Sequence, residues 1–157
     1  IPAFPLLLRD SGYDLGKTGK VWSPGTPADA PIGKQQYAYQ KSGMAFSNFS
    51  EAVTSAVKGG KSVAQARADL LAQVDGNFNS FLTARDAKKP FFFWFGPTNV
   101  HRKWVKGSGK ALWGIDPEDL RGALPKFLPD VPEIREDFAD YLGEVQAFDA
   151  YVGVLLR

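Results

Sequence analysis

Five consecutive aromatic residues, Phe91-Phe92-Phe93-Trp94-Phe95, constrain the fold of this 157-residue chain more than any other feature. Lys88-Lys89-Pro90 precedes the run and Gly96-Pro97 comes after it, so it is too short for a helix. An unbroken apolar run bounded by chain breakers is the pattern of a strand buried on both faces. Such a strand needs a layer on each side and neighbours at its edges. Few other segments here can pair with it. Asp14 to Thr18 is the other strand candidate, a weak one because Gly16 and Gly19 lower β-propensity.

Helices supply the layers. Residues 3 to 10 read as a short helix with Leu6, Leu7 and Leu8 as its apolar core and Ser11-Gly12 as its stop. A helix is expected from Phe49 to Val57. Ser62 followed by Gln65 has the form of a capping box. Val63, Ala66, Leu70, Val74, Phe78 and Phe81 then recur at helical spacing, to about Ala84. Asp130-Val131-Pro132-Glu133 marks a helix start, and Ile134, Phe138, Tyr141, Leu142, Val145, Phe148, Val152 and Leu155 supply its apolar face. Residues 23–36 and 96–131, rich in Gly and Pro, read as irregular; a stretch as long as the second tends to be functional or disordered. The order is that of an α/β domain whose sheet is incomplete in this segment.

Length fits one domain with a sizeable core. Nineteen basic residues are scattered among seventeen acidic ones, for a net charge of +2. No basic patch forms, which argues against nucleic acid. There is no cysteine, so disulfides, thiolate metal sites and a cysteine nucleophile within these residues are excluded. No apolar run approaches the roughly 20 residues of a membrane span. Ile1 to Asp10 lacks the basic start and cleavage site of a signal peptide. Both ends read as cut, so the expectation is an interior segment of a longer protein.

Lys20 and His101, the sole histidine, each come after one of the two strand candidates. Ligands of open α/β sheets bind at the carboxyl ends of strands. A lysine there is a compact charge with three donors, suited to a tetrahedral anion. An imidazole changes protonation near neutral pH and can pass a proton to a leaving group. Arg102 can clamp an anion with its planar fork or form a surface ion pair. Asn99 and Trp22 are candidate pocket residues. Trp104 and Trp113 can stack on a sugar or anchor their loop, and anchoring is the commoner role. Glu133, Glu136, Asp137 and Asp140 crowd a helix N-terminus, where the dipole favours them, so no metal site is read there. Asp149 is expected to make a structural bond.

The segment Gly12-Tyr13-(x)5-Gly19-Lys20 resembles the second signature of the type I sulfatases, Gly-Tyr-x-Thr-x-x-x-Gly-Lys-Trp-His. Phe91 to Phe95 with Asn99-Val100-His101-Arg102 is similar to that family's strand and Pro-His-Arg-type loop, in the manner of the heparan N-sulfatase branch. Leu128 to Asp137, then Tyr141, Asp149 and Gly153, resemble the family's next stretch of chain. The likeness covers nearly the whole sequence. It implies an alkaline-phosphatase-like α/β/α sandwich that hydrolyses sulfuric esters or sulfamates, with Lys20 on the sulfate and His101 at the leaving group. Such enzymes use calcium and a formylglycine made from Cys or Ser in Cys/Ser-x-Pro-Ser-Arg, and work in periplasm, lysosome or secretion. The chain departs from the pattern in that this motif and the Asp and Asn calcium ligands are missing, which an interior segment explains. Trp22 stands where many relatives have His.

The substrate implied is a sulfated glycan or small molecule. Two rivals remain: a phosphate mono- or diester hydrolase of the same superfamily, and a non-catalytic module that binds sulfated glycans.

Overall fold

The structure, a computed structural model, describes residues 4–20 and 38–157. The chain divides into two compact units, residues 1–44 with 72–98, and residues 45–71 with 99–157. The irregular segment expected at 23–36 lies outside the described residues.

The first unit is built on two parallel strands, β1 (Asp14–Gly19) and β2 (Phe91–Gly96), in register from Asp14↔Phe91 to Gly19↔Gly96. Helix α1 (Phe4–Asp10) lies on one face: the Phe4 ring meets Phe92 at 5.6 Å and Trp94 at 5.4 Å. On the other, Phe78 and Phe81 of α3 (Val63–Ala84) meet Phe93 at 4.9 and 5.0 Å. Alternation along β2 thus delivers its aromatics to two layers. Gly16 lets them close in, because a Cβ there would stand 2.5 Å from the Phe81 ring. β1 is the better buried strand, with a bridge from Lys17 to Ala38 along its other edge.

β2 differs from expectation. Its residues are half-buried and Phe91 is 41% exposed, since among the described residues β2 pairs only with β1. Helix α1 differs too: Pro5 is its buried residue, whereas Leu7 is exposed.

Helix α3 matches its pattern. Ala66, Leu70, Val74 and Phe81 are buried, and the capping box forms with Gln65 N–H to Ser62 Oγ and Ser62 N–H to Gln65 Oε1. Asn77 on the same face is buried; its Oδ1 accepts from Ser42 N–H and its Nδ2 donates to the Gly43 carbonyl.

The second unit holds α2 (Phe49–Lys58), preceded by a 3-10 turn at Ala45–Asn48. It also holds α4 (Ser108–Trp113), a 3-10 turn at Pro117–Leu120, and α5 (Pro132–Leu155). Residues 96–131 are therefore irregular only in part, since they carry α4 and the second 3-10 turn. Asp116 accepts from Glu118 N–H to cap the 3-10 turn and pairs with Lys110 at 2.8 Å. Arg135, 2% exposed, binds Asp130 at 2.6 Å and Glu118 at 2.9 Å, tying the stretch to α5.

The buried face of α5 is also not the expected one. Arg135, Ala139, Asp140, Gly143, Glu144, Ala147 and Tyr151 are buried, while Val145 and Phe148 are exposed. Two physical demands override the apolar period. Small residues at 139 and 143 admit α4 closely. The helix N-termini that face α5 require acceptors for amides without intrahelical partners. Asp140 accepts from Gly107 N–H at 2.9 Å and Gly109 N–H at 2.7 Å, and Glu144 accepts from Ser50 N–H at 3.0 Å. Asp149, expected to be bonded, is exposed.

Candidate functional site

β1 ends at Gly19, whose φ of +82° suits glycine and whose Cβ, if present, would lie 2.2 Å from the Gly96 carbonyl oxygen. Lys20 comes next. Its N–H donates to that same oxygen at 2.6 Å and its side chain is exposed. Parallel register places the carboxyl ends of both strands along one sheet edge. Trp22 lies outside the described residues.

Lys17, three residues earlier, is 7% exposed and has no carboxylate partner among the described residues. Burial holds its amine below the ordinary lysine range. No motif singled it out. The signal was a charged residue in mid-strand.

In the second unit the chain after β2 begins with Asn99, buried, whose Nδ2 donates to Glu144 Oε2 at 2.9 Å. Its Oδ1 is buried without a partner. Tyr151, 1% exposed, donates its hydroxyl to the Phe46 carbonyl at 3.1 Å. Its phenol is pushed well above the ordinary range by burial and by the Glu144 carboxylate. Asn99 is thus part of a buried polar cluster.

Val100 has φ +70°, a left-handed conformation that β-branched residues rarely adopt. His101 is exposed, and its Nδ1 lies 2.5 Å from the Arg102 carbonyl oxygen. A carbonyl only accepts, so Nδ1 carries the hydrogen and Nε2 is left for proton transfer.

Arg102 takes the ion-pair alternative in this structure. Its two terminal nitrogens donate to Asp137 at 2.8 and 2.5 Å, and its guanidinium lies 4.3 Å from the Trp104 ring centre. Asp137 raises the affinity of that guanidinium for its proton. The two tryptophans have their rings engaged: Trp104 by Arg102 and Tyr141, Trp113 by Arg67 and Phe49. They anchor the loop.

A cavity of about 280 Å³ opens beside this segment, lined by Arg102, Trp104, Lys106, Glu133, Glu136 and Asp137, with Asp140. Asp137 pairs with Arg102, and Glu136 with Lys106 at 3.2 Å. Among the described residues no group of three or more His, Cys, Asp or Glu side chains is arranged to hold a metal. No described helix is long and apolar enough to cross a membrane. Compared with known proteins, the chain matches no family model, no curated protein and no solved structure.

Proposed function

We propose that this chain is part of the catalytic domain of a type I sulfatase, a hydrolase of sulfuric esters or sulfamates with an alkaline-phosphatase-like α/β/α sandwich. One observation carries the reading. The strand ahead of Lys20 and the strand ahead of Asn99-Val100-His101-Arg102 pair in parallel and in register, ending together at Gly19 and Gly96. That is the arrangement from which an α/β enzyme presents ligand-binding residues. The order of the Gly-Tyr…Gly-Lys and aromatic-strand…His-Arg segments supports the same reading.

In this reading Lys20 neutralises a sulfate oxygen as charge develops there. A fixed cation at such a point is worth several kcal/mol to a transition state. As the S–O or S–N bond breaks, His101 Nε2 gives its proton to the departing oxygen or nitrogen. The substrate is a sulfated glycan or a small sulfate ester. Nucleic acid is not proposed as a partner, and the compartment proposed from the resemblance is periplasmic, secreted or lysosomal.

Calcium and formylglycine belong to the family. The described residues offer no cluster suited to calcium, and no Cys/Ser-x-Pro-Ser-Arg occurs in the sequence.

Peptide mapping by mass spectrometry of the native polypeptide, combined with a sulfate-release assay, tests the proposal. A formylglycine-bearing peptide and turnover of a sulfate ester are the expected result. A Thr or Ser nucleophile with turnover of phosphate esters would move the chain to the phosphatase branch. Salt-sensitive binding of sulfated oligosaccharide without turnover would make it a binding module.

A further inference from the structure

We infer that Glu144 and Asp137 clamp the Asn99–Arg102 segment at both ends and thereby select the tautomer of His101, which makes the two carboxylates positioning residues for that imidazole. They stand seven positions apart on α5, two helical turns, and so on one side of the helix. Glu144 grips the first residue of the segment and Asp137 the last.

The first grip is buried and fully committed. Glu144 is 3% exposed and Asn99 8%. One carboxylate oxygen accepts from Asn99 Nδ2 at 2.9 Å and the other from Ser50 N–H at 3.0 Å, so neither is free to track a moving loop. The second grip is the two-pronged Arg102–Asp137 pair, with the guanidinium also held on Trp104.

Between the grips sits Val100 at φ +70°. A β-branched residue keeps such a conformation only where its surroundings over-determine it. The clamp supplies that determination. It turns the His101 ring so that Nδ1 meets the Arg102 carbonyl at 2.5 Å. Nδ1 then holds a hydrogen in both protonation states, and Nε2 alone exchanges a proton. That Nε2 serves a leaving group rests on the sulfatase reading. The tautomer does not.

Nitrogen-15 and carbon-13 NMR of the chain tests this, since its one histidine gives one ring signal to track. With the ring neutral, the wild type should show the Nδ1–H form as the major species. Asn99→Asp sets two carboxylates face to face, and the ratio of Nδ1–H to Nε2–H should fall about fivefold, the net worth of one hydrogen bond. Adding Glu144→Gln lets the new amide donate to Asp at 99 and should restore the ratio. Glu144→Gln alone should preserve it, because the Asn99 amide can turn over and accept.

A wild-type ring carrying its hydrogen on Nε2 would overturn the inference, as would an Asn99→Asp ratio equal to wild type. If Asn99→Asp does not fold, Asp137→Asn decides at the exposed grip: a fallen ratio supports the clamp, and an unchanged one refutes it. Failure of the sulfatase reading would appear separately, as no sulfate release with the tautomer pattern intact.

Discussion

Gly109 of α4 lies against Ala139 of α5 so closely that a Cβ at position 109 would stand 2.2 Å from the Ala139 carbonyl oxygen. That oxygen is backbone and cannot swing away. Gly109→Ala should cost about 3 kcal/mol through overpacking, read as a lower denaturation midpoint with unchanged slope. Gly153, on the same helix as Ala139 with nothing within 4 Å of its missing Cβ, should behave oppositely. Gly153→Ala should stabilise by about 0.5–1 kcal/mol through helix propensity alone.

Lys17 should be a stability cost. The residue is 7% exposed and has no carboxylate partner among the described residues, and partial desolvation lowers its folded pKa. A lowered lysine pKa means that folding gains only when the amine loses its proton, at alkaline pH. At neutral pH the penalty is in force. Lys17→Met, which keeps the stem, should raise stability by about 1 kcal/mol at pH 7, measured by thermal unfolding. A melting temperature below wild type would show that the ammonium has a partner in solution.

Acid should loosen the 117–130 stretch first. Arg135 holds Asp130 below the ordinary carboxylate range, helped by the Gly122 N–H; Arg121 and then Arg135 do the same for Glu118. Groups with lowered folded pKa stabilise above their unfolded pKa and lose that contribution as pH falls through the folded one. The melting temperature should therefore decline below about pH 4, and Asp130→Asn should flatten the decline. An unchanged acid slope in that variant would remove the pair from the account.

Tyr151 makes the opposite prediction at the alkaline end. Its folded pKa is raised, so its contribution is complete below the unfolded phenol value and fades as pH climbs past about 10. Tyr151→Phe loses the bond to the Phe46 carbonyl, about 1 kcal/mol at pH 7. The gap between variant and wild type should narrow above about pH 10, monitored by the tyrosinate absorbance.

If the proposed activity holds, Lys20→Ala should lower kcat/KM for a sulfate ester by about 10²–10³. His101→Ala should lower it by about 10²–10⁴, and less for an ester whose leaving group is already a weak base. Equal losses for strongly and weakly basic leaving groups would argue against proton donation by His101.

Where pattern and structure agree, the interaction is local. The capping box at Ser62 and Gln65 depends on residues three apart, and the buried side of α3 on the helical repeat. The aromatic strand was legible because its breakers, Lys88-Lys89-Pro90 and Gly96-Pro97, adjoin it. Apolar periodicity misled on α5, because Asp140 and Glu144 satisfy amides 31 and 94 positions away. The loop at 96–131 was opaque for a related reason. Arg135 reaches back 17 positions to Glu118.

Of the candidate site, residue identity was legible and environment was not. The sequence determined that a lysine and the one histidine come after two strand-like runs, because strand breaks and glycine placement are written in neighbouring residues. It could not reveal that Arg102 is held by Asp137 or Asn99 by Glu144. Nor could it reveal that Lys17 is buried, or which His101 nitrogen is hydrogen-bonded. Those depend on which groups folding brings within about 3 Å, the range over which hydrogen bonds act. Only the tertiary structure sets that distance for residues far apart in the chain.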